Sequence, residues 1–229
     1  MNTLLSLFFS PVRTFNNWKL SDRSTTFNAV AILLLMLINL ILMIPISAKI
    51  AIITFTSADI PDYQIDSMIQ VSYKMRYLQV VGSEILYIVM FVFYSYILRL
   101  IVKLGGGFIS FKKVFQLIVS SYLVIVIGDL INTFLLYIRG VDSIKNIYDT
   151  SLVSANLFTS INQVGTVMYT LLSYVSPFQL YFVVLVGLGL SILCDMKKRK
   201  AFIISFLFWI ITILIPVLSV YYSQGNVGN

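Results

Sequence analysis

The sequence predicts an all-α integral membrane protein with five transmembrane helices, and three observations carry that prediction. Hydrophobic residues make up 59% of the 229 positions and charged residues only 11%, whereas soluble domains carry about 25% charged residues. Several apolar runs exceed the roughly 18 residues that signal a membrane span. Lysine and arginine, finally, concentrate in alternate loops, as the cytoplasmic side of a multi-pass protein requires.

The chain opens with "MNTLLSLFFSPVR". No basic region precedes its short apolar run, so it does not read as a cleaved signal peptide. Ser10 and Pro11 match an N-cap and a first helical position. Val12, Phe15 and Trp18 then recur every three residues, with Arg13 and Lys19 beside them. The pattern predicts an N-terminal interfacial helix, serving as a headgroup-level anchor or as a docking element for lipid or a partner.

Apolar runs measured against a bilayer core of about 30 Å give spans at Phe27–Ile46, Ile85–Val102, Val114–Tyr137, Phe178–Leu193 and Phe202–Tyr222. Together they read as one membrane domain over residues 1–229. The fourth run has only 16 residues and is expected to begin a few residues earlier.

Basic residues set the orientation. Arg13, Lys19 and Arg23 precede the first span; Arg99, Lys103, Lys112 and Lys113 follow the second; Lys197, Lys198, Arg199 and Lys200 follow the fourth. That face carries eleven basic and two acidic residues, and the opposite face five basic and six acidic. The N-terminus is therefore expected in the cytoplasm and the C-terminus outside, in a multi-pass chain of the cell membrane. This distribution points to lipid headgroups rather than nucleic acid as the partner of the +7 net charge.

Both outer loops are patterned. Leu157, Ile161, Val164, Met168, Leu171 and Val175 recur at helical spacing within residues 152–175, opposite a polar, uncharged face. Such a face suits burial against protein better than contact with anionic lipid. Ile65, Met68, Val71, Met75 and Leu78 repeat the pattern within residues 63–83. Two readings stand for these amphipathic helices. They cover the outer ends of the chain's own spans, or they dock a partner.

"LGGGFISFKKVFQL", residues 104–117, sets three glycines beside two lysines. A phosphate-binding loop needs a strand–loop–helix setting and the pattern GxxxxGK[ST]. Here the glycines lie in a short turn between two spans, so no bound nucleotide is expected. Glycine permits a reversal with positive φ, and Lys112 and Lys113 face lipid headgroups.

Histidine is absent and Cys194 is the single cysteine. That excludes histidine general-base chemistry, Cys/His metal sites and an internal disulfide. No cofactor is expected. Palmitoylation of Cys194, at the cytoplasmic end of the fourth span, is conceivable, though a free thiol is the simpler expectation.

Asp129 is the one acid placed well inside a predicted span, with Asn132 one turn away and Asn39 at comparable depth. A charge near the bilayer centre costs about 2.5–3.5 kcal/mol on insertion scales, so Asp129 needs a partner or a proton. It either belongs to a hydrogen-bonded contact between helices or serves a proton- or cation-linked site. Transporters add further charges, broken helices or repeats, and aspartyl chemistry wants two facing acids; neither is legible here. Gly187, Gly189 and Ser191 place small residues on the fourth span for close helix approach, with a neighbour left open between this chain and another.

The order of three landmarks resembles the Yip (Ypt-interacting protein) domain family of five-span membrane proteins. "LFFSPVRTFNNW", residues 7–18, is similar to the family's Pro-x-x-Thr-Phe segment before the first span. "LGGGFISFKKVFQLIVSSYL", residues 104–123, is similar to its glycine, Ser-Phe and Ser-Tyr sequence. "VSPFQLYFVVLVGLGLSIL", residues 175–193, is similar to its fourth span. Val124 departs from the pattern, standing where many members have proline, and Gln179–Tyr181 lacks a frequent tryptophan.

The resemblance implies no catalytic residues. Eukaryotic members are linked to small GTPases and vesicle traffic. Bacterial members resemble accessory membrane subunits, some accompanying ABC-type exporters of toxic peptides. Isoleucine- and asparagine-rich usage points toward the bacterial branch. The expected function is thus a non-enzymatic accessory or assembly subunit of another membrane complex, an ABC-type permease or its adaptor being the most specific partner. Leu157, Ile161, Val164, Met168 and Leu171 outside, and Lys112, Lys113 and Lys197–Lys200 inside, are the candidate contacts. The alternative is a small proton- or cation-coupled permease that uses Asp129.

Overall fold

The computed structural model describes residues 3–20, 25–57, 62–145, 147–153 and 167–225. These form helices α1 (Thr3–Phe9), α2 (Pro11–Leu20), α3 (Thr25–Leu42), α4 (Ile44–Ser57), α5 (Asp62–Leu104), α6 (Phe111–Arg139), α7 (Val167–Ser173), α8 (Pro177–Leu193) and α9 (Lys198–Gly225). Two 3-10 turns, Val141–Ser143 and Ile147–Thr150, follow α6, and no strand occurs among the described residues.

Three helices are long and apolar enough to cross a membrane alone, within Leu78–Leu104, Phe111–Arg139 and Lys198–Tyr222. Two bent pairs, α3–α4 and α7–α8, raise the number to five if each is one span.

α6 is the axis of the bundle. Of its most apolar stretch 67% is buried, against 22% for α5 and 33% for α9. Asn39 meets Thr133 and Leu42 meets Tyr137, so α3 runs parallel to α6. α8 runs antiparallel to both neighbours: its Gly189 and Phe178 meet Leu117 and Gly128 of α6, and its Val183 and Gly187 meet Ser205 and Phe202 of α9.

The small residues of α8 therefore serve this chain's own core. A Cβ on Gly189 would lie 2.3 Å from Leu117 Cδ1, and one on Gly187 would lie 2.9 Å from Phe202 Cδ1. The two glycines admit different neighbours, so the face shared by Gly187 and Ser191 is not a single seam. Ser191 instead donates 3.1 Å to the Met196 carbonyl beyond the helix end.

The N-terminal segment overturns the expected interfacial helix. It is a helical hairpin packed into the bundle, with Leu7, Thr14, Phe15 and Trp18 buried and Val12 exposed. Phe8 meets Tyr181 near the start of α8, and Lys19 pairs with Asp195 just past its end. The two contacts lie fourteen residues apart along the chain of α8, so the hairpin runs beside most of that helix. The break at Ser10–Pro11 is where expected, and its polar groups are satisfied internally, as apolar surroundings require. Ser6 and Thr14 hydroxyls meet at 3.0 Å, Thr14 N–H donates to the Ser10 carbonyl, and the Tyr181 hydroxyl donates to the Phe8 carbonyl.

Three expected boundaries also change. The helix expected to end at Ile46 stops at Leu42, and after a 43° bend the chain goes on as α4 to Ser57. Pro45, in the first turn of α4, has no N–H to continue the ladder and crowds the preceding turn. α5 joins the expected 63–83 helix and second span into one helix of 43 residues, since Gly82 alone does not end a helix. Upstream of the fourth span lies a separate helix, α7, set off by a 62° bend. Of the expected 152–175 helix, Leu152 and Val153 are not helical, while Leu157, Ile161 and Val164 lie outside the described residues.

A small second core caps the far end of the bundle. Ile46 of α4, Leu136 of α6 and Ile144 are buried together, with Leu152 packed against them. Lys49–Asp142 at 3.6 Å and Arg139–Asp149 at 3.4 Å flank it. Arg76 of α5 is buried and donates 3.3 Å to the Ile44 carbonyl at the α3–α4 bend.

Candidate functional site

The glycine turn and the basic turn meet at the near end. Gly106 has φ +69°, the left-handed conformation that closes a helix without a Cβ penalty. Gly107 N–H donates to the Val102 carbonyl, Gly106 N–H to Lys103 and Gly105 N–H to Ile101, each at 2.9 Å. These bonds form a helix cap of the Schellman type. The three amides are thereby spent on closing α5. Lys200 Nζ stands 3.9 Å from where a Gly106 Cβ would be, and Met196 packs on Gly107. Lys197, Lys198, Arg199 and Lys112 are exposed around this junction, with Lys113 half-buried.

Asn39, Asp129 and Asn132 lie toward the far end, where those expected to meet are kept apart. Asn39 Oδ1 accepts a 2.7 Å bond from the Thr133 hydroxyl, which ties α3 to α6. Asn132 turns to the loop: its Nδ2 donates 2.8 Å to the Thr150 carbonyl and its Oδ1 accepts 2.7 Å from Leu152 N–H. Neither asparagine bonds to Asp129. Among the described residues Asp129 has no hydrogen bond and no ion pair.

Asp129 instead lines a cavity of about 160 Å³ at the bend between α7 and α8. Ser173, Ser176, Phe178 and Gln179 form the wall contributed by that bend. The geometry has a local cause. Ser176 caps α8 by accepting from Gln179 N–H at 3.1 Å, and Pro177 occupies the first turn. Gly128 lets the Phe178 ring approach α6, where an added Cβ would stand 2.6 Å from it.

Sequence reasoning missed Glu84 and the α7–α8 bend. Glu84 falls one residue outside the expected span Ile85–Val102, yet it lies inside the apolar stretch Leu78–Leu104 of α5. Its Oε1 is buried without a hydrogen-bond partner. The Tyr87 phenol, one turn on, stands in the field of both Asp129 and Glu84. The far half of the bundle thus holds two carboxylates rather than one. Ser176–Pro177 carried the same helix-start signal as Ser10–Pro11 and would have located the bend.

The model of the Yip1 domain family matches residues 5–219. This chain belongs to the Yip1 domain family. No curated protein matches it, and no solved structure does.

The three Yip1-like landmarks converge on α8. The first is the α1–α2 hairpin, whose Phe8 carbonyl receives the Tyr181 hydroxyl at 2.8 Å. The second is the glycine cap and the near half of α6, whose Leu117 fills the space left by Gly189. The third is α8 itself. These landmarks carry packing and capping, which accords with a family of membrane proteins not known as enzymes. Val124, at the position where proline is frequent, is fully buried in an unbroken α6.

The outer candidate contacts divide. Met168 and Leu171 are exposed at 56% and 38% on the short α7. The stripe on α5 faces outward along its described length, with Met68, Val71, Met75 and Leu78 all exposed, and Ile65's side chain lies outside the described residues.

Proposed function

We propose that this Yip1 domain is a non-enzymatic accessory subunit that binds and regulates another membrane complex. The observation that supports it is the outward-facing apolar stripe of α5. Met68, Val71, Met75 and Leu78 are 39–69% exposed on the stretch that precedes the apolar span. Arg76, on the other side of the helix, is buried against the α3–α4 bend. The chain thus turns a charged residue inward and four apolar ones outward, an arrangement that suits a surface covered by a neighbour.

An ABC-type efflux permease or its adaptor is the most specific partner in this reading, and the cell membrane its setting. Mild-detergent affinity purification from native membranes, with mass spectrometry of the co-eluting proteins, tests it. A stoichiometric ABC-type permease or adaptor, lost when Val71 and Leu78 are changed to serine, supports the reading. A homo-oligomer without a partner overturns it.

A second reading, a small cation-coupled permease, gains from two features. Broken helices and further intramembrane acids accompany transport sites, and here two helix pairs are bent and Glu84 joins Asp129 in the apolar stretches. It requires that Asp129→Asn abolish flux in proteoliposomes while assembly persists; no flux with the unaltered chain sinks it.

A further inference from the structure

We propose that the cavity at the α7–α8 bend binds a small organic ammonium ion, with the Asp129 carboxylate as its counter-charge.

The first argument is charge. Asp129 stands on an apolar span with its side chain exposed at the open side of the cavity, and a carboxylate at membrane depth needs a cation, a proton or several hydrogen-bond donors. No basic side chain lines the cavity among the described residues. The stretch 154–166, "SANLFTSINQVGT", contains neither lysine nor arginine. Of the basic residues at this end, Lys49 is paired with Asp142, Arg139 with Asp149, and Arg76 is bonded at the α3–α4 bend. Lys74 and Lys145 do not line the cavity, so a cation for Asp129 is supplied from outside.

The second argument is the polarity of the walls. Ser173 Oγ donates its proton to the Thr170 carbonyl at 2.7 Å, which leaves the oxygen as an acceptor. The Gln179 carboxamide can turn its oxygen inward, because only its backbone N–H is engaged by Ser176. Asp129 of α6, Ser173 of α7 and Gln179 of α8 thus offer three acceptors around the cavity, matching the three donors of a primary ammonium. Asn132 takes no part, since both carboxamide atoms hold the loop.

Size and lining supply the third. An enclosed cavity of about 150 Å³ admits benzene, so this open-sided one of about 160 Å³ has room for an ammonium head with a short carbon chain. Ile125 and Val153 give the chain apolar contact, and the Phe178 ring adds a face that attracts cations. A bare inorganic cation would leave that apolar wall unused.

This inference supplies a ligand for the permease reading but does not need transport, so its test is equilibrium binding. The full chain in zwitterionic nanodiscs is titrated calorimetrically with n-propylammonium, against empty nanodiscs. Saturable one-to-one binding is expected, with none for propan-1-ol and weaker binding for tetramethylammonium, which has no N–H donors. Asp129→Asn should weaken binding about 30-fold or more, the ratio for truncating one partner of a desolvated ion pair. Should that variant fail to fold, the comparison of propylammonium with propan-1-ol still decides. Heat no greater than that of empty nanodiscs, equal binding of propan-1-ol, or displacement by equimolar sodium would each overturn the proposal. Binding without flux in proteoliposomes would retire the permease reading and leave the site standing; sodium-driven flux without ammonium binding would do the reverse.

Discussion

The hydroxyl of Tyr181 donates a 2.8 Å hydrogen bond to the carbonyl of Phe8, across 173 positions of sequence. Phe8 stands in the last turn of α1, where carbonyls have no partner within their own helix. In apolar surroundings that carbonyl needs a donor from elsewhere, and α8 provides it. Their rings also meet, with centroids 5.5 Å apart. One side chain thus fixes the N-terminal hairpin against the fourth span.

Tyr181→Phe keeps the ring and removes the donor. The orphaned carbonyl should cost about 1–3 kcal/mol, read as a lower melting temperature in nanodiscs. Trypsin should also cut earlier at Arg13, which is exposed on the hairpin. An unchanged melting temperature would mean the carbonyl finds another donor.

Gly189→Ala places a methyl group 2.3 Å from Leu117 Cδ1. Overpacking of this kind costs about 1–3 kcal/mol. Leu117→Ala leaves a cavity when made alone, yet should restore part of the loss when combined with Gly189→Ala. A double-mutant cycle measures the coupling, expected at about 0.5–3 kcal/mol for residues in contact. Strict additivity would contradict the packing.

Asn132 and Thr133 are adjacent but hold different things. Asn132→Leu deletes both bonds to the 150–152 loop, and should speed amide exchange there while the spans stay protected. Thr133→Val deletes the bond to Asn39 and should cost about 0.6 kcal/mol, the average for such contacts between membrane helices. Mass-spectrometric hydrogen exchange separates the two outcomes.

Cys194 should be a slow nucleophile. Burial, and then the neighbouring Asp195 charge, push its thiol up from 9.0 to about 11. Because the thiolate is the reactive form, though a more basic thiolate is the better nucleophile, maleimide labelling at pH 7.5 should run about 10-fold slower in the folded chain than in the chain unfolded in detergent. Its folded-state value is raised, so the thiol leaves stability unaffected below pH 9. Stability then falls between pH 9 and about 11, as the unfolded chain ionises first. A labelling rate equal in both states would refute the burial.

The legible parts of this fold were those whose limits carry their own signal. α6 was placed to within three residues, since Ser110 and two lysines open it and Arg139–Gly140 closes it. α5 was split in two because polarity changes around Lys74, Arg76 and Glu84, although nothing there stops a helix. The α1–α2 hairpin was legible as a helix start at Pro11 but not as a buried element. Which face of α2 turns inward depends on α8, more than 150 residues away, and Thr14 rather than Val12 joined Phe15 and Trp18. At the candidate site, Asp129 stood out by being an acid in an apolar run, whereas its walls are assembled by a bend that leaves little mark beyond Ser176–Pro177.

Asp62 and Leu104 are the two ends of one helix, about 64 Å long at about 1.5 Å per residue, roughly twice the thickness of a bilayer's hydrocarbon core. Without a break it behaves as a rod. A neighbour that gripped Met68 and Val71 and tilted them by a few degrees would swing Gly106 at the other end by several ångströms, sliding the buried Phe91, Leu98 and Val102 against the core as it moved. In mechanical terms, α5 is a lever whose handle is its exposed apolar stripe and whose tip lies beside Lys200.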